Sequence, residues 1–368
     1  MRYRDDAISV EWISDNGALA DACATVQDVV TLDTEFMRTN TYYPVPGLYQ
    51  MGVGDHVFLI DPSAIDEWQP FIAMLQDTQV FKVMHACLED LELLHHHLGA
   101  APTAVFDTQY ANAFLTDRFS LSYAGLVDTR LGVELSKHET RSNWLQRPLS
   151  EKQVEYAVED VIYLRPLFDQ LRDELAQHDR LAWFEEDMLA RQRFQPVDPD
   201  TCYLSQKRGW RLQGRQLAAF KNLCSWREET AQAENVPRSR VVWDEHLLTF
   251  AQNHPLTEAD IRNTLPGKVA RRYASDIITA SQVADTENLP SAPKPLTSSQ
   301  ATVVKNLRAA GLARAEALQM APELICRKRD LEDCVREHAQ FGRLPVIFSS
   351  WRKGVVGSVY LQILEDRA

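Results

Sequence analysis

The sequence Val29-Val30-Thr31-Leu32-Asp33-Thr34-Glu35-Phe36 has the β-branched start and the alternating end that are typical of a β-strand. Successive side chains of a strand point to opposite faces, so Asp33 and Glu35 project from the same face. The segment therefore predicts a strand that presents two carboxylates side by side. An ordinary exposed strand face is the alternative, and the spacing leaves it open.

Further strand and helix patterns follow this strand in the sequence. Gly54-Asp55 is a turn sequence between two apolar runs and predicts a hairpin. The patterns predict strands at residues 48–54, 57–61, 80–84 and 104–106, and helices at 68–75 and 88–98. A meander of strands followed by strand–helix alternation predicts an α/β domain with a mixed sheet flanked by helices.

One later helix has a clear start signal. Pro148 stops the preceding segment, and Ser150 with Gln153 three residues later forms a capping box. Tyr156 and Asp160 are four residues apart, which places them on one face of this helix. An amphipathic helix surface without a chemical role explains the same spacing and, on spacing alone, is the simpler interpretation.

The charge of the chain is distributed unevenly. Its 368 residues carry a formal net charge of −13, which as a single value argues against nucleic acid, because polyanions repel acidic surfaces. Residues 1–200, however, contain 15 basic and 34 acidic side chains, a charge of −19, whereas residues 201–368 contain 24 and 18, a charge of +6. This asymmetry predicts two functions on one chain.

The chain length and two polar linkers predict several domains. Residues 195–200 are rich in Pro and Asp, and residues 285–299 contain three prolines. The sequence after residue 200 has mostly helical patterns, and Lys221-Asn222-Leu223 recurs as Lys305-Asn306-Leu307. This weak repeat favours two copies of one small all-α domain.

The cysteines and the apolar runs indicate the compartment. No run reaches the roughly 18 apolar residues of a spanning helix, and the first residues lead into no signal-type stretch. The six cysteines have neither paired nor metal-ligand spacing. We therefore expect a cytoplasmic protein with reduced thiols, no membrane partner and no obligate protein partner.

Acidic side chains on three predicted elements could form one site. They are Asp33 and Glu35 on the first strand, Asp90 on the helix after His85, and Asp160, with Tyr156, on the capped helix. Carboxylates that converge in a partly buried site repel one another. Hard divalent cations such as Mg²⁺ or Mn²⁺ offset that repulsion, because they prefer oxygen ligands.

These segments resemble the three motifs of the DEDD superfamily of 3′→5′ exonucleases, tyrosine variant. The matching segments are Leu32-Asp33-Thr34-Glu35-Phe36, His85 through Glu89-Asp90-Leu91-Glu92, and Tyr156-Ala157-Val158-Glu159-Asp160-Val161. Arg141-Ser142-Asn143-Trp144 and Arg147-Pro148-Leu149-Ser150 resemble the segment before the third motif in the ribonuclease D family, which usually has Asp at the position of Asn143. Trp226-Arg227 and Asn235-Val236-Pro237 resemble the helicase-and-RNase-D C-terminal (HRDC) domain, and the second helical copy matches it less well.

The resemblance implies a domain plan and a reaction. The domains would be a ribonuclease H-like exonuclease domain at 1–195 and HRDC-like domains at 203–284 and 296–368. The site residues would be Asp33, Glu35, Asp90 and Asp160, which hold two Mg²⁺ or Mn²⁺ ions, and Tyr156, which orients the attacking water. The implied activity releases 5′-mononucleotides from RNA 3′ ends, with structured RNA such as precursor tRNA as the partner. A DNA 3′→5′ exonuclease and an inactive nucleic-acid-binding scaffold are the alternatives.

Further residues are candidates for substrate contact. They are Arg141, Arg147, Lys207, Arg208, Arg211 and Arg215 for phosphates, Phe36 and Trp144 for base stacking, and His85 beside the site. Each has a structural alternative: loop surface or a solvated helix face for the basic residues, core packing for the aromatic residues, and a satisfied polar residue for His85. The role of Asn143 stays open.

Overall fold

The computed structural model describes residues 8–135, 142–253, 255–283 and 289–366. The chain divides into two compact units. The first comprises Met1–Met37, Pro46–Phe194 and Leu296–Ala368, and the second comprises Arg38–Val45 and Gln195–Pro295. A loop from the N-terminal half of the chain thus belongs to the second unit.

The described residues of the first unit contain a six-stranded mixed sheet. Its strands are β1 (Ser9–Ile13), β2 (Val29–Met37), β3 (Val45–Val53), β4 (His56–Ile60), β5 (Phe81–Met84) and β6 (Val105–Asp107). They are arranged in the order β1-β4-β3-β2-β5-β6, in which β3 and β4 are antiparallel and the pairs β1–β4, β2–β5 and β5–β6 are parallel. The predicted mixed sheet and its hairpin are confirmed. The short strand β1 was not predicted.

Helices cover this sheet. They are α1 (Asn16–Ala24), α2 (Gln69–Gln76), α3 (Leu88–Leu98), α4 (Thr108–Ala113), α5 (Tyr123–Leu131), α6 (Glu151–Ile162), α7 (Leu164–Gln177) and α8 (Leu181–Arg191). Helix α6 begins with the predicted capping box, in which Ser150 and Gln153 bond each other's backbone N–H groups. It packs against β2 and β4, so its inner face meets the strand that carries Asp33 and Glu35.

Gly47 on β3 allows a close approach near the end of β2. A Cβ atom at this position would lie 2.7 Å from the Trp144 Cβ atom and 3.1 Å from the Glu35 carbonyl oxygen. A side chain does not fit in that space. The segment that precedes α6 therefore lies directly against β3, at the residue of β3 that is also next to Glu35.

The second unit is helical and has its own apolar core. Its helices are α9 (Gly214–Ala233), α10 (Arg238–Val241), α11 (Asp244–Gln252), α12 (Glu258–Thr264) and α13 (Gly267–Ser281). Leu223, Phe250 and Ile277 are among its fully buried side chains, and Tyr42 from the Arg38–Val45 loop packs against this core. The loop is thus held by apolar contact as well as by polar groups.

The C-terminal helices share one hydrophobic core with the sheet. They are α14 (Ser298–Leu318), α15 (Lys328–Phe341) and α16 (Ser358–Glu365). The Ala321 N–H donates to the Ala113 carbonyl at 2.8 Å, and the Trp183 and Trp351 rings stack with centroids 4.9 Å apart. The segment predicted to be a second HRDC-like domain therefore lies in the first compact unit.

A buried ion pair fastens this segment to α8. The Arg352 guanidinium donates to both Asp187 oxygens at 2.8 and 2.6 Å, and Tyr110 and Trp351 also donate to this carboxylate. Burial alone would raise the pKa of Asp187, but the hydrogen bonds and charge of Arg352 lower it below its usual value.

Two further findings concern the chain as a whole. Among the described residues, no helix combines the length and the apolar composition that crossing a lipid bilayer requires. All six cysteines are buried free thiols.

We expect Arg352→Met to destabilise the first unit by about 3 kcal/mol, because it leaves the Asp187 carboxylate buried without its cation. Urea unfolding measures this change. Arg165→Met is the matched control, since Arg165 and Asp169 are both exposed and their ion pair contributes at most about 1 kcal/mol. Equal losses for the two variants would contradict the role given to the buried pair.

Candidate active site

Three carboxylates meet where α6 packs on β2. One ligand oxygen from each of Asp33, Glu35 and Asp160 lies within 4.8 Å of the other two. The period of two along the strand places the first two side by side, and the last turn of the capped helix places Asp160 beside them. The sequence-based prediction that these three acids converge is confirmed by the structure.

Asp90 joins this group from a third element. It is the third residue of α3 and is only 8% exposed, and the Thr34 hydroxyl donates a hydrogen bond to its Oδ1. Asp90 is not part of the 4.8 Å cluster, yet its charge raises the pKa of both Glu35 and Asp160. Acids from β2, α3 and α6 therefore act on one another electrostatically.

Burial raises the pKa of every acid in the group, and the charges of other group members raise it further for Asp33, Glu35 and Asp160. Burial is the largest cause for each acid, and for Glu35 it is followed by the charges of Asp160 and Asp90. The pKa of Glu35 rises to about 9 and that of Asp160 to about 8. The pKa of Asp90 rises to about 6, held down by the Thr34 hydrogen bond, and that of Asp33 rises well above its usual value. Without a cation, the group therefore holds protons near neutral pH.

The donor set fits a hard divalent cation. Asp160 Oδ2 is buried and has no hydrogen-bond partner, although buried carboxylate oxygens are normally satisfied. Carboxylate oxygens are the ligands that Mg²⁺ and Mn²⁺ prefer, and a bound cation would pair the orphaned oxygen and offset the repulsion. Asp33, Glu35 and Asp160 are the residues that could hold such an ion.

Tyr156 lies on the same face of α6 as Asp160. Its ring centroid is 6.1 Å from that of Trp144, and its hydroxyl lies beside the Asp160 carboxylate, whose pKa it lowers. Burial, followed by the charges of Asp160, Glu35 and Asp33, raises the pKa of Tyr156 above 10. The hydroxyl is therefore neutral near pH 7 and can orient a polar group by hydrogen bonding.

The imidazole of His85 is bound by other residues of the protein. Its Nδ1 atom is 2.9 Å from the Thr108 hydroxyl oxygen and its Nε2 atom is 3.1 Å from the Leu121 carbonyl oxygen. Both ring nitrogens are thus engaged within the protein. These contacts match the alternative of a satisfied polar residue and do not support the expected substrate contact.

Arg147 and Trp144 are also engaged within the protein, which corrects the expectation that they contact substrate. The five guanidinium N–H groups of Arg147 donate to both Asp61 oxygens and to the carbonyls of Gly47, Trp144 and Gln146. The Trp144 side chain is 2% exposed and packs on Gly47. A guanidinium without a spare donor does not bind phosphate, and a buried indole does not stack on a base.

The other candidates differ in exposure. Phe36 is half-buried against the core directly after Glu35, and Asn143 forms a turn in which its Oδ1 accepts from the Leu145 N–H at 3.1 Å. Arg141 lies outside the described residues. The four basic candidates in the second unit are exposed and lie before or at the start of α9: Lys207, Arg208, Arg211 and Arg215.

Two residues that support the site were missed by sequence reasoning. Thr34 was passed over as the spacer between two acids, although its hydroxyl fixes Asp90. Asp107 is 1% exposed and accepts from the N–H groups of Ala86 and Cys87 at 3.0 and 3.3 Å, which fixes the turn that starts α3. The signal available in the sequence was an Asp directly after a buried strand.

This fold and acidic site define a 3′→5′ exonuclease, and comparison with known proteins supports that class. The sequence profile of the 3′-5′ exonuclease family matches residues 10–176, and that of the HRDC domain matches residues 216–280. The second match falls within the region predicted for the first HRDC-like domain.

The similarity to named proteins extends over nearly the whole chain. Ribonuclease D of Pseudomonas paraeruginosa is 38% identical, covering 98% of this chain and 99% of that protein; ribonuclease D of Escherichia coli is 31% identical with the same coverage. The crystal structure of Escherichia coli RNase D, described as an exoribonuclease involved in structured RNA processing, matches with a TM-score of 0.88 at 30% identity, covering 98% of this chain and 99% of that one. The chain belongs to the ribonuclease D family and is a 3′→5′ exoribonuclease.

We expect the affinity for Mn²⁺ to increase with pH between 6.5 and 8.5. Glu35 and Asp160 have pKa values of about 9 and 8 in the metal-free protein, so protons compete with the cation and are released when it binds. Calorimetric titration in two buffers of different ionisation enthalpy measures both the affinity and the number of protons released. An affinity that does not change with pH, with no proton release, would contradict this electrostatic description.

We expect Thr34→Val to weaken Mn²⁺ binding by about 10- to 100-fold, because outer hydrogen bonds orient metal-binding carboxylates. The substitution keeps the shape of the side chain and removes the donor to Asp90. Thr34→Ser is the matched control, since it keeps the hydroxyl and should bind Mn²⁺ nearly as the native chain does. Equal affinities for the Val and Ser variants would show that the hydrogen bond has no such role.

Proposed function

We propose that this exoribonuclease uses two divalent cations, Mg²⁺ or Mn²⁺, held by Asp33, Glu35, Asp90 and Asp160. The observation that carries the proposal is the 4.8 Å cluster of half-buried carboxylates with raised pKa values, one of whose oxygens is buried without a hydrogen-bond partner. Side chains arranged in this way are costly to bury unless cations neutralise them. Without cations the acids would retain protons, and protonated carboxyl groups do not serve as metal ligands.

The chain's own residues orient the reacting groups. Bound divalent cations would activate water and neutralise the charge that develops on the departing 3′-oxygen. Asp33 and Glu35 are fixed by the strand and Asp160 by the capped helix, so their oxygens are positioned before substrate arrives. The neutral Tyr156 hydroxyl orients the attacking water through a hydrogen bond. The products are 5′-mononucleotides released from the 3′ end.

We propose that the substrate is structured RNA, with precursor tRNA 3′ ends as the natural case. The Escherichia coli relative is described as processing structured RNA, which supports this choice. The exposed Lys207, Arg208, Arg211 and Arg215 give the second unit a basic surface for salt-sensitive phosphate contacts. The six free thiols are consistent with action in the cytoplasm.

The proposal is tested with 3′-labelled RNA and DNA of the same sequence, incubated with Mg²⁺, Mn²⁺ or EDTA. We expect metal-dependent release of labelled mononucleotide from RNA, and we expect Asp33→Asn to lower kcat more than about 100-fold through the loss of several kcal/mol of transition-state stabilisation. Asp173→Asn, an exposed acid on α7, is the matched control and should retain full activity.

The outcomes separate the parts of the proposal. Full activity of Asp33→Asn would exclude the proposed metal site, and release from DNA alone would exclude RNA as the substrate. Joint reversal of Arg208, Arg211 and Arg215 to Glu should raise KM and flatten its dependence on salt while kcat is retained. Unchanged affinity and salt dependence would exclude the basic surface as the RNA contact.

A further inference from the structure

The HRDC-like segment Asn235-Val236-Pro237 contacts the loop that follows the acidic strand. Asn235 has a left-handed backbone, with φ of 50°, and its Oδ1 accepts from the N–H groups of Tyr42 and Tyr43 at 3.0 Å each. One side-chain oxygen thus satisfies two successive backbone donors of the Arg38–Val45 loop. Neither the proposed metal site nor the basic surface accounts for this contact.

The Tyr42 side chain is bound at the same place. Its hydroxyl donates to Glu228, which is only 1% exposed, and accepts from Arg238 Nη2 at 2.9 Å. The Arg238 guanidinium carbon is 5.0 Å from the centre of the Tyr42 ring, and Arg238 also donates to Glu228 Oε1 at 2.6 Å. The half-buried phenol therefore contacts a buried acid, the cation paired with that acid and the apolar core.

These three residues, Glu228, Asn235 and Arg238, form what we call the Tyr42 clasp. Its polar groups satisfy one another, so the clasp is a specific contact of defined geometry, unlike a chance surface contact. The loop that it holds starts at Arg38, directly after the last residue of β2 and three residues after Glu35. Because the loop is only a few peptide bonds from Phe36 and Glu35, backbone motion in the loop would also displace these two residues.

We propose that Glu228, Asn235 and Arg238 are positioning residues for the exonuclease reaction. By holding Tyr42 they give the chain that leaves β2 a single conformation, which fixes Phe36 and the backbone after Glu35 for the 3′-terminal nucleotide of RNA. The inference rests on the proposed function. Small displacements of groups that orient a substrate cost much of the rate, so loosening the loop lowers turnover without removing any ligand of the metal.

The experiment compares Asn235→Gly with Asn235→Asp in the full-length protein with saturating Mn²⁺. Gly adopts the left-handed backbone but lacks the acceptor oxygen, whereas Asp adopts it and keeps the acceptor. We expect hydrogen exchange of the peptide containing residues 38–45 to be about tenfold faster in the Gly variant, and its kcat/KM on RNA to fall about tenfold. The Asp variant should behave as the native protein does.

Tyr42→Phe is the second variant, because it removes the hydroxyl contacts and leaves the ring and the backbone amides. We expect an intermediate exchange rate and an intermediate kcat/KM. Unchanged exchange in Asn235→Gly would overturn the clasp, and faster exchange with unchanged RNA kinetics would overturn its role in positioning. An inactive native enzyme would instead contradict the proposed function. In that case the role of the clasp would be tested by the RNA affinity of the variants in Ca²⁺, and not by kcat/KM.

Discussion

The repulsion among Asp33, Glu35 and Asp160 is the constraint on which the rest of the structure depends. Three half-buried carboxylates whose ligand oxygens lie within 4.8 Å of one another are unfavourable as anions, and their raised pKa values reflect that cost. The fold offsets this cost because several contacts hold β2 and α6 in place. The capping box starts α6, Gly47 admits the segment that precedes it, and Arg147 fixes that segment to Asp61. The result is an acidic site whose ligand oxygens could hold a divalent cation.

Much of this site could be predicted from the sequence because it follows from local periodicity. The period of two put Asp33 and Glu35 on one face, and the capping box with the four-residue spacing put Tyr156 above Asp160. Residues whose role depends on tertiary burial could not be assigned in that way. Arg147 and Trp144 look like substrate contacts in a loop sequence. Only the three-dimensional packing shows that the guanidinium donors of Arg147 are engaged within the protein and that the Trp144 ring is buried. Thr34 likewise reveals its function only through a partner 56 residues away.

The assignment of segments to the two compact units also could not be predicted fully from the sequence. The linkers predict a boundary near residue 200, and the structure begins a segment of the second unit at Gln195. The mixed sheet and the later helices follow from the residue patterns. The Arg38–Val45 loop nevertheless belongs to the helical unit, and the C-terminal helices belong to the sheet unit. Both involve apolar packing and long-range polar contacts, Tyr42 with Glu228 and Asp187 with Arg352, and such contacts leave no periodic signal in the sequence. The net charge of −13 likewise conceals the difference between residues 1–200, with a charge of −19, and residues 201–368, with a charge of +6.

The most direct measurement of the central claim is the stoichiometry of Mn²⁺ binding to the metal-free protein near pH 8, followed by electron paramagnetic resonance. If the carboxylates form a two-cation site, two Mn²⁺ ions bind per chain and are spin-coupled, and Asp33→Asn abolishes the coupling. Binding of no ion, or of uncoupled ions that Asp33→Asn leaves in place, would contradict the claim that charge repulsion at this cluster is relieved by cations.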